Sequence, residues 1–359
     1  MQPLTILDSL ITLYAFDLQN PFTFAGTTLD KRTGYILELT ASNGLKSRGE
    51  IAPLPGISAE TIKKAHHDLV EAQSHLKGFS VVLDKDGLAA SLARSAFAGL
   101  CPSVRFGVES ALFNLAAQAQ GISLVEFLGG TLADVPTAAL LQGPHEQVIA
   151  DAKILSSRGY HVFKLKVGGR NIPLDVKKVQ DLRGVIGPQG RLRLDGNRVW
   201  GLNEARLFVD LAGRAQIDFI EEPLGDMAKI NEFYQATHMP VALDETLALY
   251  NVCAGLSAGR QAPGRCSPTL ADSEAVKCYV LKPSVLGGII SCLEWMAHAR
   301  DQGKKVIISS AFESPVGLKV LANLACLTGE VAGLGTERWL KGVSATADSQ
   351  GIIRKDKLV

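Results

Sequence analysis

From about residue 135 to residue 325 the chain repeats one pattern, a short apolar segment followed by a stretch of helical composition. The apolar segments are Thr137–Leu141, Val162–Val167, Arg191–Asp195, Phe219–Glu222, Val241–Asp244, Cys278–Lys282 and Val306–Ser309. Val148–Gly159 and Asn203–Ala212 are two of the helical stretches between them. A strand followed by a helix, many times over, builds a parallel sheet, because each helix carries the chain back to the end where the next strand starts. Seven or eight such units in about 190 residues fit a closed barrel better than an open sheet. An open doubly wound sheet would bring a glycine-rich phosphate turn after its first strand, and Gly168-Gly169 lacks the G-x-G-x-x-G spacing of that turn.

The residues ahead of the repeat read differently. Leu4 to Phe16 is β-rich and apolar, and Gly34 to Thr40 alternates with period two. Gly49 to Ser58, with two prolines in Pro-Leu-Pro-Gly, is a loop. A helix is expected from Ser58, as N-cap, to about Leu76, and another over Gly107–Phe127, ended by Gly129-Gly130. The His66-His67 pair is a poor metal site, since adjacent helical residues do not share a face. Ala254–Asp272 is a loop rich in Gly, Pro and Ser.

Composition narrows the class of function. Of 359 residues 47% are hydrophobic, as in a folded globular protein, and a net charge of +1 offers no field for nucleic acid or an anionic membrane. No apolar run approaches the roughly 18 residues of a membrane span. The N-terminus lacks a basic region and carries Asp8 and Asp17, so it does not read as a signal peptide, and a cytoplasmic location is expected. Six dispersed cysteines without a C-x-x-C pair read as thiols in a reducing compartment.

The informative residues are charges at the ends of apolar strands: Lys164 and Lys166, Asp195, Glu221, Asp244 and Lys282. A charge in a buried barrel strand costs several kcal/mol unless it is paired or bound to a metal. One such residue alone could be an ion pair. Six on successive strands, near the C-terminal ends where barrels place their chemistry, indicate a site. Lys164 and Lys166 are two apart and point to one side of their strand, as do Arg193, Asp195 and Asn197. Three carboxylates from three consecutive strands suit a hard dication such as Mg²⁺; pairing of each with a lysine across the barrel is the structural alternative. Lys166, beside Lys164 and a dication, would have its ammonium form disfavoured by like charge, leaving a neutral fraction able to take a proton.

These motifs in order, Lys-x-Lys, Asp-x-Asn, Glu-Glu-Pro, Asp-Glu and Lys-Pro-Ser, resemble the enolase superfamily in its muconate-lactonizing subgroup. Gly49–Thr61 (GEIAPLPGISAET), Ile308–Ser314 (ISSAFES) and Ala332–Thr336 (AGLGT) resemble its o-succinylbenzoate synthase family. The resemblance implies an α/β fold, a (β/α)7β modified TIM barrel over residues 134–325. An N-terminal α+β capping domain would span residues 1–133, and residues 326–359 would pack back on it. It implies one Mg²⁺, replaceable by Mn²⁺, on Asp195, Glu221 and Asp244, with Glu222 not coordinating. Lys166 would be the base, Lys164 its helper on the substrate carboxylate, and Lys282 the opposite positive charge. Arg193, Asn197, Ser309 and Gly333 would line the pocket. The reaction implied is syn-dehydration of 2-succinyl-6-hydroxy-2,4-cyclohexadiene-1-carboxylate through an enediolate, in menaquinone biosynthesis. The partner would be that small carboxylate alone, with no nucleic acid, membrane or obligate protein partner. Loops near Phe22–Thr28 and Pro53–Ser58 are expected to form a lid.

Two departures and several rivals accompany the resemblance. The stretch from Asp244 to Lys282 is longer than in close relatives, and Gly335 stands where they often carry Asp. An N-succinylamino acid racemase, a dipeptide epimerase or a muconate cycloisomerase would use the same metal and lysines. A dipeptide epimerase would carry Asp-x-Asp after the last strand, where this chain has Ser309-Ser-Ala-Phe-Glu-Ser314. A catalytically dead scaffold would have no reason to keep six buried charges.

Overall fold

The computed structural model describes residues 4–24, 27–169, 171–214, 217–254, 270–344 and 346–359. The Ala254–Asp272 stretch lies mostly outside them, and the thiols of Cys253 and Cys266 are not described. Cys101, Cys278, Cys292 and Cys326 are free thiols.

The N-terminal part is an antiparallel sheet backed by helices. β1 (Leu4–Phe24), β2 (Thr27–Ala41) and β3 (Lys46–Ile51) form successive antiparallel pairs. α1 (Ile62–Leu76) follows, then β4 (Ser80–Val81), which pairs with the start of β1. Leu37, Leu39 and Ile51 of the sheet are fully buried against Ala65, Leu69 and Ala72 of α1 and the long helix α3 described below. The segment Phe22–Thr28, expected as a loop, is instead mostly the end of the β1–β2 hairpin, paired Phe22 to Leu29 and Phe24 to Thr27.

Two helix starts differ from the sequence expectation. α1 begins at Ile62, capped by Thr61, whose hydroxyl accepts from Lys64 N at 3.2 Å. The Ser58 hydroxyl instead accepts from Leu54 N at 2.8 Å and folds the Pro-Leu-Pro-Gly loop on itself. After α2 (Lys85–Ala93), the helix expected over Gly107–Phe127 is two: α3 (Pro102–Ala119) and α4 (Leu124–Phe127). Proline is harmless in a first turn because its missing N–H has no helical partner there. The break falls where Gly121 takes φ +69°, and a Ser123–Glu126 capping box restarts the helix.

β5 (Val135–Pro136) leads into the repeat: β6 (Ala139–Leu141), α5 (His145–Ser157), β7 (Val162–Lys166), α6 (Ile172–Ile186), β8 (Arg191–Asp195), α7 (Leu202–Ala212) and β9 (Ile217–Glu221). Then come α8 (Ile230–Thr237), β10 (Val241–Leu243), α9 (Glu245–Ala254), β11 (Val276–Leu281), α10 (Pro283–Leu286), α11 (Ile289–Asp301), β12 (Lys305–Ile308) and α12 (Pro315–Ala325). β6 to β12 form one parallel sheet in sequence order. Its two edges are joined by Ala332, bridged to Thr137, and Gly333, bridged to Ser309, both parallel. Seven strand–helix units and a last strand-like segment therefore close the ring, the (β/α)7β arrangement expected. β13 (Ile352–Ile353) returns to pair with β5. Inside, Phe219, Ala242, Cys278, Val280 and Ile307 form a separate apolar cluster, the floor on which the charged strand ends stand. Among the described residues no helix is long and apolar enough to cross a membrane.

Candidate active site

Strand register brings the charges together. Lys166 lies opposite Asp195, Asp195 opposite Glu221, and Glu221 opposite Ala242, two residues before Asp244. Alternation sets polar strand ends one pleat above the apolar floor: Phe219 below Glu221, Val280 below Lys282, Ile307 below Ser309. One cavity is lined by Lys164, Lys166, Asp195, Glu221 and Lys282 from the barrel and by Leu54 and Ile57 from the cap. Asp195, Glu221 and Asp244 are all buried.

Two lysines are engaged and one is not. Lys164 Nζ lies 2.7 Å from Glu221 Oε1 and 3.0 Å from Asp195 Oδ2. Lys282 Nζ bonds Asp244 Oδ2. Both ammonium groups are held above the ordinary lysine value, because neighbouring carboxylates outweigh the burial that opposes their charge. Among the described residues Lys166 makes no hydrogen bond or ion pair, and its ammonium is held below the ordinary value. Burial is the main cause, Asp195 opposes it, and Lys164 and Lys282 add to it. The like-charge argument thus has the right direction but the second place.

The carboxylates divide in the same way. Burial and the neighbouring Asp195 and Asp244 push Glu221 up, although Lys164 pulls against them. Asp195 feels the same burial, but three lysines hold it below the usual carboxylate range. Three buried carboxylates and no nitrogen or sulfur ligand fit a hard divalent cation, whose charge would favour the ionised form of each. Their oxygens are drawn onto the ammonium groups and do not all lie within 4.8 Å of one another. Among the described residues the grouping that does, His67, Asp68 and Glu71 on α1, has two exposed members, and its Asp68 already accepts from Lys64 and Cys101 N.

The remaining expected residues sit around this centre. Asn197 donates its backbone N–H to Asp195 Oδ1 at 3.1 Å, from a positive φ of 45°. Arg193 borders the cavity, yet its guanidinium donates to Val331 O at 2.6 Å and lies over the Phe219 ring, which spends much of it on the wall. Ser309 and Gly333 line the cavity and form the closing bridge; a Cβ on Gly333 would lie 2.8 Å from Ser309 Oγ. Gly335 also lines it, with room for a Cβ only 3.1 Å from Ala138 O. Glu222 spends its carboxylate on Asp244 N, Thr246 N and the Thr246 hydroxyl, at 2.7–2.8 Å, and so aims the strand end that bears Asp244. Sequence reading did not single out Glu245, which lines the cavity with Oε2 buried and unpartnered among the described residues. Its only signal was adjacency to Asp244.

Two family models match the chain: MenC, N-terminal domain, over residues 9–115, and Enolase C-terminal domain-like, over residues 147–256. The o-succinylbenzoate synthase of Haemophilus influenzae is 30% identical over 317 residues, covering 87% of this chain and 84% of that enzyme. That of Vibrio cholerae serotype O1 is 31% identical over 345 residues, covering 90% and 88%. The chloroplastic protein PHYLLO of Arabidopsis thaliana is 32% identical over 345 residues, but the match covers 86% of this chain and 19% of that longer protein. Among solved structures, a dipeptide epimerase of Enterococcus faecalis complexed with Mg and the dipeptide L-Leu-L-Tyr superposes with TM-score 0.83 at 21% identity, covering 98% of this chain and 97% of that one. The L-Ala-D/L-Glu epimerase of Bacillus subtilis gives 0.81 at 23%, covering 98% and 96%. The structural likeness carries the fold, and the sequence likeness carries the family: the chain belongs to the o-succinylbenzoate synthase family of the enolase superfamily.

Proposed function

We propose that the chain is a magnesium-dependent o-succinylbenzoate synthase. It would convert 2-succinyl-6-hydroxy-2,4-cyclohexadiene-1-carboxylate to 2-succinylbenzoate and water. The observation that carries this reading is a Lys166 that makes no ion pair among the described residues, beside three buried carboxylates, in a chain whose relatives at 30% identity are o-succinylbenzoate synthases.

Asp195, Glu221 and Asp244 would hold the cation, which supplies electrostatic stabilisation for charge developing on the substrate carboxylate. Lys166 Nζ takes the proton from the ring carbon that bears the carboxylate. It then returns that proton to the hydroxyl on the neighbouring carbon, so that water leaves from the same face and the ring becomes aromatic. Lys164 keeps its charge against Asp195 and Glu221, and Lys282 keeps its charge against Asp244. Leu54, Ile57 and Phe312 wall the cavity with apolar surface and keep bulk water from the reacting carbons.

The Ser309–Ser314 loop weighs against dipeptide epimerisation. Its one acid, Glu313, accepts from Ser284, Ser310 and Ala311 N and is fully buried behind the cavity wall, so it does not present a carboxylate to a substrate ammonium. The test is incubation of the purified chain with the cyclohexadiene substrate while the aromatic product is followed. Activity should vanish with a chelator, return with Mg²⁺, and fall together with Mg²⁺ affinity in Asp244→Asn. A wild-type chain that forms no product with Mg²⁺ present, or forms it equally well without divalent cation, overturns the reading.

A further inference from the structure

Two buried charges of the cap reach the barrel without entering the proposed chemistry. Glu50, in β3, accepts from Ser314 N at 2.9 Å, Ser314 Oγ at 2.6 Å and Gly317 N at 2.8 Å, and so caps the N-terminus of α12. Arg32, in β2, is 2% exposed. Its Nε donates to Phe312 O at 3.1 Å, its Nη1 to Pro53 O at 2.8 Å and Thr33 O at 3.3 Å, and its Nη2 to Ala52 O.

The guanidinium therefore joins two loops that both line the cavity and pack against each other. Ala52 and Pro53 lead into the turn whose Leu54 and Ile57 line the cavity. Phe312 lines it from the barrel side and sits at φ +62°, a conformation uncommon for a bulky residue and held only where its surroundings demand it. Leu54 packs with Val285 and Ala311, and Ile57 and Phe312 pack against that cluster. Apolar contact alone could join such loops, and a cation buried on carbonyl oxygens is costly. What the guanidinium adds is a rigid fork whose donors fix several carbonyls in one relative position, which a lysine's single ammonium does not do.

We propose that Arg32 is a positioning residue. It fixes the 52–58 loop against Phe312 and so sets the fit of the part of the substrate remote from the carboxylate cluster. The substrate half of this inference rests on reading the cavity as an o-succinylbenzoate synthase pocket; the loop half does not. The experiment uses the Mg²⁺-loaded enzyme, its Arg32→Ala and Arg32→Lys variants, and two readouts. In steady-state kinetics Arg32→Ala should raise KM about tenfold or more while kcat at saturation and Mg²⁺ affinity change little, as expected when a supporting group is displaced rather than a reacting one. Millimolar guanidinium should bring KM back toward wild type, and Arg32→Lys should not. In hydrogen exchange the backbone amides of residues 52–58 and 310–314 should exchange faster in Arg32→Ala, with the barrel strands unchanged. Unchanged KM together with unchanged exchange overturns the proposal. So does a fall in kcat with faster exchange throughout the molecule and no rescue by guanidinium, the mark of a merely structural role. If Arg32→Ala does not fold, Arg32→Lys carries both readouts with the same expected directions. If the wild type does not dehydrate the cyclohexadiene, the functional reading fails, and the exchange result still decides whether Arg32 fixes the two loops.

Discussion

Lys164 and Lys166 are separated by one residue and share one face of β7, yet their surroundings hold them in opposite states. Lys164 is clasped by Asp195 and Glu221 and keeps its proton, whereas Lys166, partly buried, makes no ion pair among the described residues and its ammonium is held below the ordinary value. In the proposed reaction that split favours Lys166 as the base, because a base must reach its neutral form near working pH. Lys166→Ala should lose about 10²–10⁴-fold or more in turnover while binding Mg²⁺ and product, since in the proposed reaction one amine serves both proton loss and hydroxyl departure. Deuterium exchange of the substrate α-proton isolates the first of these steps. Retention of more than about a tenth of the wild-type rate would move the assignment to Lys282. In the wild type, kcat/KM should rise with pH as the Lys166 ammonium deprotonates, with its midpoint below the roughly 10.4 of an ordinary lysine. The six charges were legible in the sequence because apolar strands make a charge conspicuous. Pairing of the carboxylates with lysines across the barrel, the structural alternative, is what the structure shows, but which lysine takes which carboxylate was not legible, because it depends on which side chain reaches across. Neither was Glu245, next to Asp244, whose Oε2 is buried without a partner among the described residues.

At the scale of elements, the repeating units were readable because each strand is a short apolar run bounded by helical composition. β8 has the expected bounds, and β7 differs from them by one residue. The cap was less readable. Its helix starts are set by single hydrogen bonds, such as Lys64 N to Thr61 Oγ rather than a cap at Ser58, and composition does not reveal which hydroxyl wins. Its packing also turns on glycines whose role appears only in three dimensions. β3 crosses α3 where Gly49 meets Gly107: a Cβ on Gly49 would stand 1.8 Å from Gly107 O, and one on Gly107 2.5 Å from Ile51 Cδ1. The obstacle at Gly49 is backbone, which cannot swing aside as a side chain can. Gly49→Ala should therefore destabilise the chain by about 1–3 kcal/mol or more, the range for overpacking a core. Urea unfolding measures this, and a midpoint equal to wild type would show that β3 and α3 can part without cost.

For the whole molecule, acids buried at the seam between cap and barrel add a pH dependence to folding. Glu109 of α3 accepts from Ile290 N, at the start of α11, at 3.0 Å, with Arg105 Nη2 3.5 Å away. Burial pushes its carboxyl up to about 7, against the pull of Arg105 and of the α11 amides. In the unfolded chain a glutamate titrates near about 4.3, so between these values the folded state binds the proton more tightly. Stability from this group is thus greatest at low pH and declines as pH rises toward 7, opposite to an acid held by a salt bridge. Glu109→Gln removes the titration and retains a carbonyl oxygen for the Ile290 amide. Relative to Glu109→Gln, the wild type should therefore lose about 3 kcal/mol between roughly pH 4.5 and pH 8, since each pH unit between the folded and unfolded midpoints is worth about 1.4 kcal/mol. Urea unfolding of both chains at several pH values gives this difference directly, and subtraction cancels titrations common to the two. A difference that stays flat with pH would mean that Glu109 is ionised on both sides of folding, with water or a better-placed cation reaching its carboxylate at the seam.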